Sequence, residues 1–274
     1  MRTKDFDDYS AQHLERLKDI LVDIYLGFGK LSESLYLVGG LVPGLLVKNK
    51  LPYLKEYLGT LDIDLAIKFA VGSKSKFRDF YKYIKAMGFE KQKTPDGMDF
   101  MSHSFIKYKS GYKPTVLDFL IDDKIEPKAD RLKEIAPNVE AVKFKGVYLV
   151  FDDFVIMPIK RGNHKQVGIR ITNVIPFLTL KTFAYMNEEN RLAKDAFDIW
   201  YTIVNFKDGP DSVREELQKY KKNKDVSEAF DSIRRLFADE TSFGTKDVSK
   251  ILVERYGLQM NFANREVISP IKRL

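Results

Sequence analysis

The 274 residues of the chain include no cysteine. That absence excludes disulfides and thiolate metal sites, and it suits a cytosolic protein. No stretch approaches the roughly 18–20 apolar residues that a membrane-spanning helix needs. The first residues, Met1-Arg2-Thr3-Lys4-Asp5-Phe6-Asp7-Asp8, carry charge and no apolar run, which is not the pattern of a signal peptide. A soluble, cytoplasmic protein with no membrane partner is the expectation. Charge of one sign is only mildly in excess, with 46 Lys and Arg against 39 Asp and Glu, a formal +7. So small a surplus favours a polyanionic partner only where cations cluster on one surface. Internal repeats and low-complexity linkers are lacking too.

Hydrophobic residues make up 44% of the chain and aromatic residues 13%, enough for a packed core and too much for global disorder. The pattern of apolar residues changes near residue 172. Before it, a helix is predicted over 11–28, capped by Ser10 and carrying Leu14, Leu17, Leu21, Ile24 and Phe28 at helical spacing. A second helix is predicted from Ser73 or Ser75 to Met87. Short strands are predicted at 35–38, 61–67, 89–93, 104–108, 115–121, 142–144, 147–151, 155–159 and 167–171, with turns at Pro95-Asp96-Gly97 and Ser110-Gly111. Residues 124–138 read as helical or irregular, and 160–166 as a basic loop. After Asn173 the spacing is helical throughout, with helices expected near 176–184, 191–206, 226–238 and 246–256. One more is expected where Ser212 and Glu215 have capping-box spacing. The expectation is an α+β protein: a mixed β-sheet domain flanked by helices over 1–172, then a helical domain over 173–274.

The most informative stretch is Gly59-Thr60-Leu61-Asp62-Ile63-Asp64-Leu65-Ala66-Ile67. Side chains two apart on a strand share a face, so Asp62 and Asp64 stand together opposite an apolar row. Like charges this close repel, and a shared cation relieves them. Oxygen ligands suit Mg²⁺, or Mn²⁺ in its place. A lone Asp-x-Asp reads equally as a solvated strand face; its company sets this one apart. Leu35-Tyr36-Leu37-Val38 runs into Gly39-Gly40 and then into a predicted helix start, an arrangement that lets backbone approach an anion. Val116-Leu117-Asp118-Phe119-Leu120-Ile121 places one acid in an apolar strand, where it needs a cationic partner. In the helical half, Lys194, Asp195 and Asp198 share one helix, and Lys181 on the preceding helix is able to face them.

Taken together these motifs resemble the nucleotidyltransferase superfamily of DNA polymerase β type. Lys181 with Arg191-Leu-Ala-Lys194-Asp195-Ala-Phe-Asp198 resembles the signature of its AbiEii-type members, the toxins of bacterial and archaeal toxin–antitoxin pairs. The resemblance spans roughly residues 34–204. It implies that Asp62, Asp64 and Asp118 ligate metal and carry catalysis, with Asp118 helping to activate the attacking hydroxyl. It implies that Gly39, Gly40, Thr60, Lys181, Lys194 and Asp198 bind the NTP substrate, with Asp195 orienting Lys181. The implied acceptor is RNA, tRNA above all, and the implied protein partner is an antitoxin. In two respects the chain departs from the family's pattern: 21 residues separate Gly40 from Asp62, and no basic residue precedes Thr60. Two further readings are a small-molecule transferase of the antibiotic-modifying kind and a nucleotide-binding interaction protein without turnover.

Overall fold

A computed structural model describes residues 11–55, 57–70, 75–94, 96–125, 130–162, 166–188 and 191–274. The expected caps Ser10 and Ser73, the turn residue Pro95 and residues 163–165 of the basic loop lie outside the described residues. Two compact units divide the chain. One takes Gly59–Thr172 and the described part of Asp7–Leu41; the other takes Val42–Leu58 and Asn173–Leu274.

The first unit is built on a mixed sheet of nine strands among the described residues. The strands are β1 (Leu35–Val38), β2 (Asp62–Ile67), β3 (Glu90–Lys93), β4 (Phe100–Lys107), β5 (Thr115–Asp122), β6 (Leu132–Ala136), β7 (Val139–Phe144), β8 (Phe154–Ile159) and β9 (Val167–Thr172). They run in the order β3-β4-β5-β2-β1-β9-β8, and β7 pairs with both β5 and β6. β5 shows why the sheet is two-sided. Thr115, Leu117, Phe119 and Ile121 are fully buried, while Val116, Asp118, Leu120 and Asp122 alternate with them at intermediate exposure. β2 repeats the alternation, with Ile63, Leu65 and Ile67 buried beside half-buried Asp62 and Asp64. Helices α1 (Ala11–Phe28) and α3 (Phe80–Ala86) cover the apolar face. Phe28 stacks on Phe80 at 4.4 Å, and Phe80 meets Phe119 edge-on at 5.0 Å. Burial of such aliphatic and aromatic side chains contributes about 1.5–3 kcal/mol each. The other face keeps its polar residues.

The second unit is helical: α2 (Val42–Leu46), α4 (Val174–Met186), α5 (Ala193–Asn205), α6 (Pro210–Leu217), α7 (Lys224–Leu236), α8 (Phe243–Tyr256) and α9 (Met260–Ile271). α4 is buried nearly all round, the mark of a central helix, and it packs on α5, α6 and α7. Among the described residues no helix is long and apolar enough to cross a membrane.

Four local expectations need correction. Residues 132–136 form a strand, because pairing with β7 satisfies a backbone that its charged residues made look irregular. Val147–Phe151, an apolar run expected as a strand, is a 3-10 helix entered through Gly146 at φ +87°. Ser212 does not cap α6. Pro210 starts that helix, and the Ser212 hydroxyl instead accepts a hydrogen bond from the Asp208 N–H. The helix expected after Gly39-Gly40 is one short turn, Val42–Leu46, preceded by a 3-10 turn over Gly39–Leu41.

Candidate functional site

The parallel pairing of β2 with β5 decides where the three acids stand. Asp62 lies opposite Val116, and Asp64 lies opposite Asp118. Residues paired across strands share a face, as do residues two apart along one strand. Asp62, Asp64 and Asp118 therefore occupy one face of the sheet, the polar one. Neighbouring strands lie about 4.8 Å apart and residues two apart on a strand about 6.6 Å, so the three acids are neighbours on that face. On its other side Asp64 pairs with Val38, the last residue of β1 before the glycine pair.

Gly39 sits directly against Asp64. Its backbone adopts φ +71°, and a Cβ added there would lie 1.8 Å from Asp64 Oδ2 and 2.6 Å from Cγ. No other residue type fits without displacing the carboxylate. This is the close approach that the glycine pair suggested, though what approaches the backbone is a carboxylate of the same unit. Gly40 and Thr60 are buried, and Thr60 Oγ1 accepts from the Asp62 N–H at 3.3 Å, at the entry to β2. Ser104 of β4 pairs with Asp118 from the outer side and donates to Gln92 Oε1 at 2.8 Å.

The donor chemistry and the register of these residues fit a hard divalent cation. Their side chains are not drawn into a cage: among the described residues no group of three or more His, Asp or Glu is placed to hold a metal ion.

In the helical unit, Lys181, Lys194, Asp195 and Asp198 do come together. The Lys181 ammonium is 2.5 Å from Asp195 Oδ1 and 3.2 Å from Asp198 Oδ2. Lys194 donates to both oxygens of Asp198, at 2.9 and 2.7 Å. Tyr57 completes the group, donating to Asp198 Oδ1 at 2.6 Å and accepting from Lys194 at 3.1 Å. The Asp198 side chain is 0% exposed and that of Lys194 11%. Two ammonium groups against two carboxylates leave the cluster formally neutral. Burial lowers the Lys194 pKa, opposed by Asp198, and burial together with the Asp198 carboxylate raises the Tyr57 phenol well above its ordinary value. Tyr57 was not foreseen, because residues 48–58 read as a bridge between motifs. Its signal was the apolar spacing of Leu54, Tyr57 and Leu58, all three buried.

No protein-family model matches the chain, and no curated protein matches it. Among solved structures it is similar to an antigenic nucleotidyltransferase-like protein from Paracoccidioides brasiliensis, at 15% identity over 81% of this chain and 93% of that one, with a TM-score of 0.40. It is also similar to JHP933 from Helicobacter pylori, at 14% identity over 96% of this chain and 92% of that one, with a TM-score of 0.43.

Proposed function

We propose that the chain is a nucleotidyltransferase that moves the nucleoside monophosphate of an NTP onto an acceptor hydroxyl, with RNA, and tRNA in particular, as the acceptor. One observation carries the reading: Asp62, Asp64 and Asp118 share the polar face of the sheet, and the Asp64 carboxylate rests against the α-carbon of Gly39.

Asp62, Asp64 and Asp118 would hold Mg²⁺ or Mn²⁺, which neutralises charge on the phosphates and makes the attacking hydroxyl easier to deprotonate. The chain's own contribution is positioning and proton handling. The Asp118 carboxylate takes the acceptor hydroxyl's proton as the new oxygen–phosphorus bond forms at the α-phosphate. The bond to the β-phosphate breaks, and pyrophosphate leaves with its electron pair. Thr60, through Oγ1, fixes the backbone on which Asp62 stands. An antitoxin partner that restrains this activity completes the proposal.

The test is to incubate the purified protein with total RNA, Mg²⁺ and each α-labelled NTP. A labelled band at tRNA size that disappears with Asp62→Ala plus Asp64→Ala is the expected result. Incorporation that survives the double substitution contradicts the proposal. An RNase-resistant product moves the acceptor to a small molecule.

A further inference from the structure

Away from the acids, at the end of the apolar face, a group of cations converges around one buried arginine. Arg16 of α1 is 8% exposed. Of its guanidinium nitrogens, Nη1 donates to the Lys113 carbonyl at 2.7 Å, while Nε and Nη2 are buried with no hydrogen-bond partner. The Tyr112 ring covers the group, its centroid 4.7 Å from Cζ. Burial lowers the Arg16 pKa, and the interaction with Tyr112 opposes the fall. No carboxylate among the described residues forms an ion pair with it. Leaving the donors of a buried charged group unsatisfied is destabilising, and more so than for a neutral group.

The surroundings add charge of the same sign. Lys107, at the end of β4, feels Arg16, Arg161 and Lys109, and Asp23 is the acid that acts on it. Arg161 already pairs with Asp23. Lys109 also lies over the Tyr112 ring, 5.1 Å from its centroid. Among the described residues, Arg16, Arg161 and Lys109 thus act on Lys107 as like charges, and Asp23 opposes them. Thr115, the cross-strand partner of Lys107, is fully buried, and its hydroxyl has no hydrogen-bond partner. The atoms left unsatisfied here, Arg16 Nε and Nη2 and Thr115 Oγ1, are all able to donate. A ligand rich in acceptors and negative charge complements them. The cover is thin, because the whole 108–113 loop is exposed and Tyr112 itself is 40% exposed.

We propose that Arg16, Lys107 and Thr115 form a phosphoryl-binding site beneath Tyr112, on the sheet face opposite the acids. A phosphoryl group is favoured over a carboxylate because it carries up to two charges and three acceptor oxygens, against clustered cations and three donor atoms without partners. The source of the phosphoryl group is either a free phosphate or the phosphorylated end of an RNA strand. The site does not depend on nucleotidyl transfer.

Calorimetry on the full chain tests it, with inorganic phosphate in one arm and a short 5′-phosphorylated RNA against its unphosphorylated twin in the other. Binding of phosphate alone points to a free anion; binding only of the phosphorylated RNA points to a strand end. Either is expected to weaken about tenfold to a hundredfold in Arg16→Met, and by about tenfold in Lys107→Gln, as loss of a charge-assisted hydrogen bond requires. Thr115→Val keeps the buried shape and carries the test if Arg16→Met fails to fold. Phosphate binding is expected with no divalent cation or NTP present, which separates its failure from failure of the transferase reading. The proposal is overturned if neither probe binds the wild-type chain, or if binding is undiminished in both Lys107→Gln and Thr115→Val.

Discussion

The acids of the sheet and the acids of the helical unit are arranged in opposite ways. Asp195 and Asp198 meet Lys181 and Lys194 in a formally neutral, buried group with Tyr57 closing it. Asp62, Asp64 and Asp118 stand on one strand face as three negative charges, with Asp64 pressed against a glycine backbone. The first arrangement satisfies itself and holds helices together. The second gathers three acids on one face of the sheet. Such a gathering of acids is where ligand chemistry is to be sought.

The largest effect expected from this contrast is on activity. Asp62→Asn with Asp64→Asn is predicted to lower NTP transfer by 10²-fold or more, as loss of preorganised charge stabilisation does. Thermal unfolding of the same variant is predicted to be unchanged or slightly raised, because a repulsion is removed. Asp198→Ala is predicted to do the reverse to stability. It strands the Lys194 ammonium in a buried site, and a loss of about 3–5 kcal/mol in denaturant unfolding is expected. Gly39→Ala falls between the two regions in size. Its methyl group meets Asp64 Oδ2, and its positive φ disfavours any side chain, so a loss of roughly 1–3 kcal/mol is expected, together with reduced transfer.

The smallest effect is a pH dependence in the helical cluster. Tyr57 holds its proton in the folded state above the ordinary value of 10.0, through burial and then Asp198. Below pH 10 both states are protonated and this group contributes no slope. As pH rises past 10 the unfolded chain ionises first, so its contribution falls by at most about 1.4 kcal/mol per pH unit. Tyr57→Phe removes that slope. Its stability deficit relative to the wild type is predicted to narrow above pH 10, as urea unfolding at pH 9 and 10.5 would show.

Period-two alternation made β2 and β5 legible in the sequence, and with them the faces on which Asp62, Asp64 and Asp118 stand. What alternation does not encode is which strands pair. The Asp64–Asp118 register depends on residues 54 apart in the chain, on contacts that no local window contains. Helical spacing likewise brought Lys194, Asp195 and Asp198 together, since they share α5. Tyr57 reaches them from a segment without regular structure, so no periodicity pointed to it. The 3-10 helix at Val147–Phe151 shows the converse: an apolar run looks like a strand until Gly146, in a left-handed conformation, turns the backbone. Arg16 gave no signal at all, because one arginine on an amphipathic helix is ordinarily solvated. Only its burial beneath Tyr112 distinguishes it.

The polar sheet face is predicted to gather a divalent cation. Titration of the full chain with Mn²⁺, followed by electron paramagnetic resonance, reads this without reference to any acceptor. Saturable binding that is lost in Asp62→Asn with Asp64→Asn and weakened in Asp118→Asn is the predicted result. Binding that is absent from the wild type, or equal in all three proteins, contradicts it.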